Sequence, residues 1–272
     1  MSLEYRIRSF ARKAIPERLR RPLGILSGGF RTYLLYPALG LIFDLKGDRF
    51  KADGCTFVIP RNITSLELRA SFMLNDYEVD ERQLVQKHFL PEDSILELGA
   101  CLGIIACITN KLLRDPTRHV VVEANPYCLP AIHRNRVRNG ASFLVEHCAV
   151  SNQRDVVFTV NPRHITGSSL KNPTGMAVRL PGRSLNELVE RHGPFSALIV
   201  DIEGSELELL ESAGDALRHF RLIIIELHEN VIGIEGINRC HALLRAAGFV
   251  LKDTSYITEA WLNPGFTGKP AV

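Results

Sequence analysis

The chain has 272 residues, 46% hydrophobic and 23% charged, so it can bury a sizeable core and reads as a globular protein, not a fibrous or disordered one. Its net charge of +3 conceals an asymmetry: residues 1–31 hold Arg6, Arg8, Arg12, Lys13, Arg18, Arg20, Arg21 and Arg31 against Glu4 and Glu17, a balance of +6 that leaves −3 for the remainder. The basic excess is therefore local and makes no general case for nucleic-acid binding, and six cysteines without a CxxC pair point away from zinc and disulfide frameworks and towards a reducing cytoplasm.

Residues 1–45 predict one or two short helices broken by Pro16, Pro22 and Gly28-Gly29. No uninterrupted apolar stretch with a cleavage site follows the charged start, so a signal peptide is not expected. The run from Tyr33 to Phe43 is well short of the roughly 20 residues of a spanning helix, and Pro37 interrupts it. Eight cations followed by this aromatic-aliphatic run make residues 1–45 a candidate for peripheral contact with an anionic membrane surface; the alternative is a solvated helix packed on the domain. Arg49–Pro60 alternates loosely around Asp53-Gly54, a turn signal suited to a β-hairpin. We therefore divide the chain into a basic extension with a hairpin, 1–75, and a main domain, 76–272.

From Val79 to Phe89 the apolar residues recur at helical spacing. Beyond them, strands are predicted at Ser94–Leu98, His119–Glu123, Phe143–Val145, Ala197–Val200 and Leu222–Leu227, alternating with helices near Gly103–Leu113, Leu129–Arg138, Ser184–Arg191 and Glu206–Leu217. Such alternation, with nearly continuous Val/Ile/Leu strands, implies an α/β fold of the Rossmann-like kind: a mostly parallel sheet covered by helices on both faces. A helix at Gly236–Ala247 precedes Phe249–Thr254 and Tyr256–Leu262, which read as a terminal antiparallel pair. Val156–Leu180, rich in Pro, Gly, Ser and Asn, breaks the rhythm as an inserted hairpin or a loop over the ligand crevice. This insertion and Trp261–Pro264 are expected to shape an acceptor pocket.

Four strand ends carry the chemistry. In Glu97-Leu-Gly-Ala-Cys-Leu-Gly103, Gly99 lets the backbone turn sharply towards a ligand and Gly103 lets the next helix start close by. The spacing is G-x-x-x-G, not the G-x-G-x-x-G that cradles a pyrophosphate; with Glu97 beside it, the turn suits a cationic ligand without phosphates, such as S-adenosylmethionine. Glu123 ends the next strand about twenty positions beyond the turn, where a carboxylate accepts both ribose hydroxyls, and Ala124-Asn125-Pro126 turns past the ribose. The strand from Ala197 delivers Asp201 and Glu203 to the same edge, while Glu206, where a helix should start, reads as a capping residue. Glu226 and His228 follow the fourth strand, and His228 is a general-base candidate beside the acidic pair.

These motifs in this order resemble the FkbM-type methyltransferases. The likeness runs over about residues 75–255 and rests on Tyr77-Glu78, Ile95 to Gly103, Val122-Glu-Ala-Asn-Pro126, Cys148-Ala-Val-Ser151, Val200-Asp-Ile-Glu-Gly204 with Glu206, and Ile225-Glu-Leu-His228. It implies a class I S-adenosylmethionine-dependent fold with a seven-stranded sheet, and methyl transfer to a hydroxyl of a sugar, glycolipid or other small natural product. By position, Glu97, Gly99, Ala100 and Gly103 would lie on the methionine side, Glu123, Ala124 and Asn125 around the ribose, Ala149 near adenine, and Asp201 at the cofactor's edge. The family commonly has Asp and Asn where this chain has Glu97 and Cys101: Glu97 displaces its acceptor by a methylene, and Cys101 lacks an amide. Asp201, Glu203 and His228 are the expected catalytic residues. A divalent metal held by these three is a secondary expectation, since no dedicated ligand cage is visible. The rival readings are a nucleotide-cofactor oxidoreductase, which the missing G-x-G-x-x-G argues against, and an inactive or adapter protein on the same fold.

Overall fold

The computed structural model describes residues 35–161, 164–169 and 175–267; the basic residues of 1–31 lie outside them. In chain order the elements are α1 (Tyr36–Leu45), the hairpin β1 (Arg49–Ala52) and β2 (Cys55–Val58), α2 (Leu66–Met73), α3 (Val79–His88), β3 (Ile95–Leu98), α4 (Ile104–Leu112), β4 (His119–Val122), α5 (Leu129–Arg138) and β5 (Leu144–Glu146). There follow β6 (Ala149–Val150), β7 (Asp155–Asn161), β8 (His164–Ser169), β9 (Met176–Arg183), α6 (Leu185–His192), β10 (Ala197–Val200), α7 (Glu206–Ala213), β11 (Leu222–Glu226), α8 (Glu229–Ala246), β12 (Val250–Ser255) and β13 (Thr258–Leu262). Pro37 does not break α1: it sits in the first turn, where a missing N–H costs no helical bond.

The central sheet has seven strands in the order β12-β13-β11-β10-β3-β4-β5. Only β13 runs antiparallel, paired with β11 on one side and β12 on the other. Every residue of β3, β4 and β10 is buried, because helices cover both faces and no side of these strands meets water. On one face Leu96, Leu98, Leu198, Val200 and Ile225 pack against Leu188 of α6, Leu209 of α7 and Leu244 of α8. The opposite face meets α3 through Leu84 and Val85, and the N-terminal hairpin joins α4 and α5 in a further cluster through Phe57, Ile108 and Ile132.

Register fixes where the site forms. Leu98 pairs with Val122 and with Val200, and Val200 pairs with Ile225, so these four strands end level. The next residues (Gly99, Glu123, Asp201 and Glu226) therefore emerge side by side at one rim. From β3 the chain winds outwards to β4 and β5, then returns to β10 on the other side of β3. That reversal opens a crevice at the carboxyl ends, where ligands bind in open α/β sheets.

Two helices differ from expectation. The apolar spacing predicted Glu206–Leu217 as one helix, but Gly214, at φ +54° and ψ −131°, ends α7 and a 3-10 turn continues to His219. The last helix begins at Glu229, not Gly236, and Gly233 at φ +70° kinks it. Where the structure describes it, the insertion is β-structure: β9 pairs with β7 and, in parallel, with β6, and β8 lies beyond β7. Trp261 corrects a further expectation. It does not shape a pocket: it is fully buried in the core against His241, and its indole N–H donates to Glu259 Oε2 at 2.8 Å. Its place in the central sheet beside β11 turns it inwards.

Candidate active site

At the level strand ends lies a cavity of about 300 Å³, at the small end of ligand pockets, which span roughly 300–1,000 Å³. Gly99 and Cys101 come from the turn after β3, Glu123, Ala124 and Asn125 from the end of β4, Ala149 and Val150 from β6, and Asp201 and Glu203 from the end of β10. Tyr77 and Glu78 close it from before α3, and Phe158 and Ile165 from the inserted sheet.

The turn after β3 needs its glycine. Gly99 has φ +93°, and a Cβ there would stand 1.7 Å from the carbonyl oxygen of Asp201. Three other lining residues hold left-handed backbone without being glycine: Glu78 at φ +47°, Cys101 at +50° and Glu203 at +53°. Such strain gathers where surroundings hold a side chain in a required direction.

Glu123 ties two loops together. One carboxylate oxygen accepts from the Cys101 N–H at 2.7 Å and the other from the Asn125 N–H at 2.6 Å. Burial pushes its pKa up to about 7, even though these backbone donors favour the charged form.

The far end of the cavity is dense in carboxylates. Burial, then the charges of Glu226 and Glu78, raise Asp201 well above the usual carboxylate range, and one of its oxygens has no hydrogen-bond partner. Burial also raises Glu203, against the opposing pull of His228, and Glu226 likewise. Glu78 is pushed up to about 8 by burial and by Glu226. His228 is the basic side chain among them: its Nε2 lies 3.5 Å from Glu226, 3.8 Å from Asp201 and 3.8 Å from Glu203, and its Nδ1 lies 2.9 Å from Glu206. Burial alone would lower its proton affinity, but the hydrogen bond to Glu206 and the surrounding carboxylates outweigh it, so the pKa is raised. One donor atom each from Asp201, Glu203 and His228 lie within 4.8 Å of one another, close enough to share a divalent cation.

Of the residues expected from sequence, Gly99, Glu123, Ala124, Asn125, Ala149, Asp201 and Glu203 meet on the cavity wall. His228 and Glu226 are not on the wall but adjoin it, His228 Nε2 lying 3.8 Å from both Asp201 and Glu203 and 3.5 Å from Glu226. Glu97, Ala100 and Gly103 are not on the wall. Glu97 is mid-strand, two residues short of the rim, and is buried at 1% exposure with one oxygen 3.2 Å from His119 Nε2. Ala100 points into the apolar cluster beneath the hairpin, and Gly103 starts α4 against Ile132.

Sequence reasoning missed other groups. Tyr77 and Glu78 were visible only as a motif without a role; the Tyr77 hydroxyl donates to Cys101 Sγ at 3.4 Å. Glu81, in the first turn of α3 and 4% exposed, faces the same acidic group, and its spacing from Glu78 was the available signal. Glu206 does bind backbone, accepting from the Gly204 N–H at 2.8 Å, but the same oxygen also meets His228. No local pattern links positions 22 apart.

Residues 97–251 match the methyltransferase FkbM domain family. A hexuronic acid methyltransferase, AglP, of Haloferax volcanii is 26% identical over 157 residues, which cover 57% of this chain and 64% of that protein. Among solved structures, a precorrin-6y C5,15-methyltransferase of Geobacter metallireducens aligns at TM-score 0.43 and 10% identity, covering 66% of this chain and 84% of that one. An O-methyltransferase of Bacillus cereus in complex with SAH aligns at TM-score 0.41 and 18% identity, covering 66% and 76%.

Proposed function

The chain belongs to the FkbM methyltransferase domain family, and from that premise we propose that it transfers the methyl group of S-adenosylmethionine to a hydroxyl of a sugar or glycolipid. The observation that carries the cofactor reading is Glu123: a carboxylate at the rim, beside the glycine turn and held by two backbone donors. There it accepts from both ribose hydroxyls. Ala124 and Asn125 flank the ribose, Ala149 meets the adenine, and Gly99 lets the methionine part lie close to the backbone. When bound, the cofactor supplies an electrophilic methyl group on a sulfonium. The carboxylates of Asp201 and Glu78 suit that positive charge.

The residues beyond the sulfonium orient the acceptor and take its proton. An attacking alcohol must align with methyl carbon and sulfur, which is a task of positioning. Its proton needs a base within reach, and Asp201 and Glu203, with raised pKa values, together with His228 beside them, provide one. A sugar acceptor is consistent with the hexuronic acid methyltransferase relative. A shared cation is the second reading of the same donors, favoured by their spacing.

Labelled S-adenosylmethionine incubated with carbohydrate acceptors and fractionated cell extract tests the assignment directly. Asp201→Asn and His228→Ala should keep S-adenosylhomocysteine affinity within a few-fold and lower turnover about 10²- to 10⁴-fold. Undiminished methylation in both variants would refute the proton-transfer role. Turnover should survive exhaustive chelation; its loss, restored by Mg²⁺ or Mn²⁺, would replace the acid–base reading with the metal one.

A further inference from the structure

We propose that Glu206 is the positioning residue of this site, holding the His228 imidazole with its proton on Nδ1 so that Nε2 is presented towards the acceptor end. The inference rests on the proton-transfer reading above and adds to it a residue outside the cavity wall.

Three observations carry it. Glu206 is fully buried at the first position of α7, where a carboxylate without partners would be strongly disfavoured. Its Oε1 accepts from the Gly204 N–H at 2.8 Å and lies 2.9 Å from His228 Nδ1. An oxygen already accepting from one N–H leaves Nδ1 as the second donor, so in the neutral ring Nε2 carries the lone pair. The local chain is shaped to deliver this contact. Gly204 has φ +98° and its missing Cβ would sit 2.3 Å from Val231 Cγ1, so the loop after β10 lies tight against the start of α8, next to His228.

On the Nε2 side the ring faces Glu226, Asp201 and Glu203 at 3.5–3.8 Å, with the charge of Glu78 also acting on the cluster. Those separations exceed a hydrogen bond, so Nε2 is not committed to any one of them. Among the described residues, the one committed contact of the ring is Glu206. A carboxylate behind an imidazole both selects the tautomer and stabilises the charged ring once a proton arrives. If Glu206 served only to tie down Gly204, the state of the His228 ring would be indifferent to it.

The test is nitrogen NMR of the full chain labelled in histidine and bound to S-adenosylhomocysteine, with His228 identified by loss of its signals in His228→Gln. The expected result, recorded at a pH above the ring's titration, is a neutral ring protonated on Nδ1. Glu206→Met should move the proton to Nε2 and lower kcat about 100-fold or more, with KM and S-adenosylhomocysteine affinity changed less than about threefold. Glu206→Gln, whose amide oxygen still accepts from Nδ1, should keep the wild-type tautomer and recover at least about tenfold of that loss. The double variant Glu206→Met with His228→Ala should be no slower than His228→Ala alone. A wild-type ring protonated on Nε2, or additive losses in the double variant, would overturn the role of Glu206. Full turnover in His228→Ala with an Nδ1-protonated wild-type ring would instead overturn the catalytic reading of the ring, and the two failures are told apart by the spectrum.

Discussion

Glu123→Gln tests the cofactor site at its most specific point. The carboxylate is 7% exposed and receives two backbone donors, one on each oxygen. An amide can accept on one side only, so one N–H would face an NH₂ group, and a buried unsatisfied donor costs about 1–3 kcal/mol. Losing charge-assisted bonds to the ribose removes about 1.5–3 kcal/mol more from binding. Part of the first cost falls on the loops and not on the ligand, so a loss of about 3–4 kcal/mol is expected, roughly 100- to 1,000-fold in affinity for S-adenosylhomocysteine. The pH dependence supplies an independent signature. With its pKa near 7 in the ligand-free protein, Glu123 must lose a proton to accept from the ribose. Wild-type affinity should therefore fall about tenfold per pH unit below 7, or about 1.4 kcal/mol. Calorimetry in two buffers of different ionisation enthalpy should report proton release in that range, and the Gln variant should lose most of it. Binding by the variant within threefold of wild type, or wild-type affinity flat between pH 5.5 and 7.5, would refute the ribose assignment.

Two further outcomes follow from the same site. Gly99→Ala would drive a methyl group to 1.7 Å from the Asp201 carbonyl oxygen at φ +93°; we expect a loss of at least about 3 kcal/mol, visible as a melting shift of roughly 6–12 °C, with cofactor affinity abolished. Wild-type binding by this variant would remove the close-approach argument. Glu123 at about 7, Glu78 at about 8 and His228 all have raised pKa values. A raised folded-state pKa gives stability that is present at low pH and lost as pH rises through that value. For the two carboxyls the loss runs from about 4.5 up to 7 and 8 respectively, and for His228 it lies above 6.5. The ligand-free protein should therefore melt lower at pH 8 than at pH 5.5, and S-adenosylhomocysteine should narrow the gap; a melting point that rises from pH 5.5 to 8 would contradict the burial of these groups.

What could be read from the residues follows from the range of the forces involved. Strand ends were legible because a fully buried parallel strand is written as a continuous apolar run, and its first polar residue marks the rim; Glu123 and Asp201 were found that way. The same logic misplaced Glu97: it too is acidic in an apolar run, but it precedes the rim and is held by His119 from the neighbouring strand. Its direction depends on strand alternation against a partner that the local sequence does not name. Trp261 was misread as pocket material together with the turn residues Asn263-Pro264 that follow it, whereas β13 inserts between β11 and β12 and turns the indole inwards. Glu206 was half legible: its place at a helix start predicted a backbone partner, and it has one. Its second partner, His228, is joined to it only by the packing of α7 against α8.

The short strand β6 has a consequence for the order of events. Ala149, assigned to the adenine, is hydrogen-bonded in register with Gly182 of β9, and β9 also pairs with β7, which carries Phe158 over the cavity. The cavity walls at Ala149 and at Phe158 thus belong to a single piece of β-structure with its own small apolar centre of Val156, Phe158, Val160 and Leu180. On the proposed reading, with the adenine at Ala149, ordered binding of nucleoside before acceptor is the expected kinetics, and product-inhibition patterns showing random order would refute it.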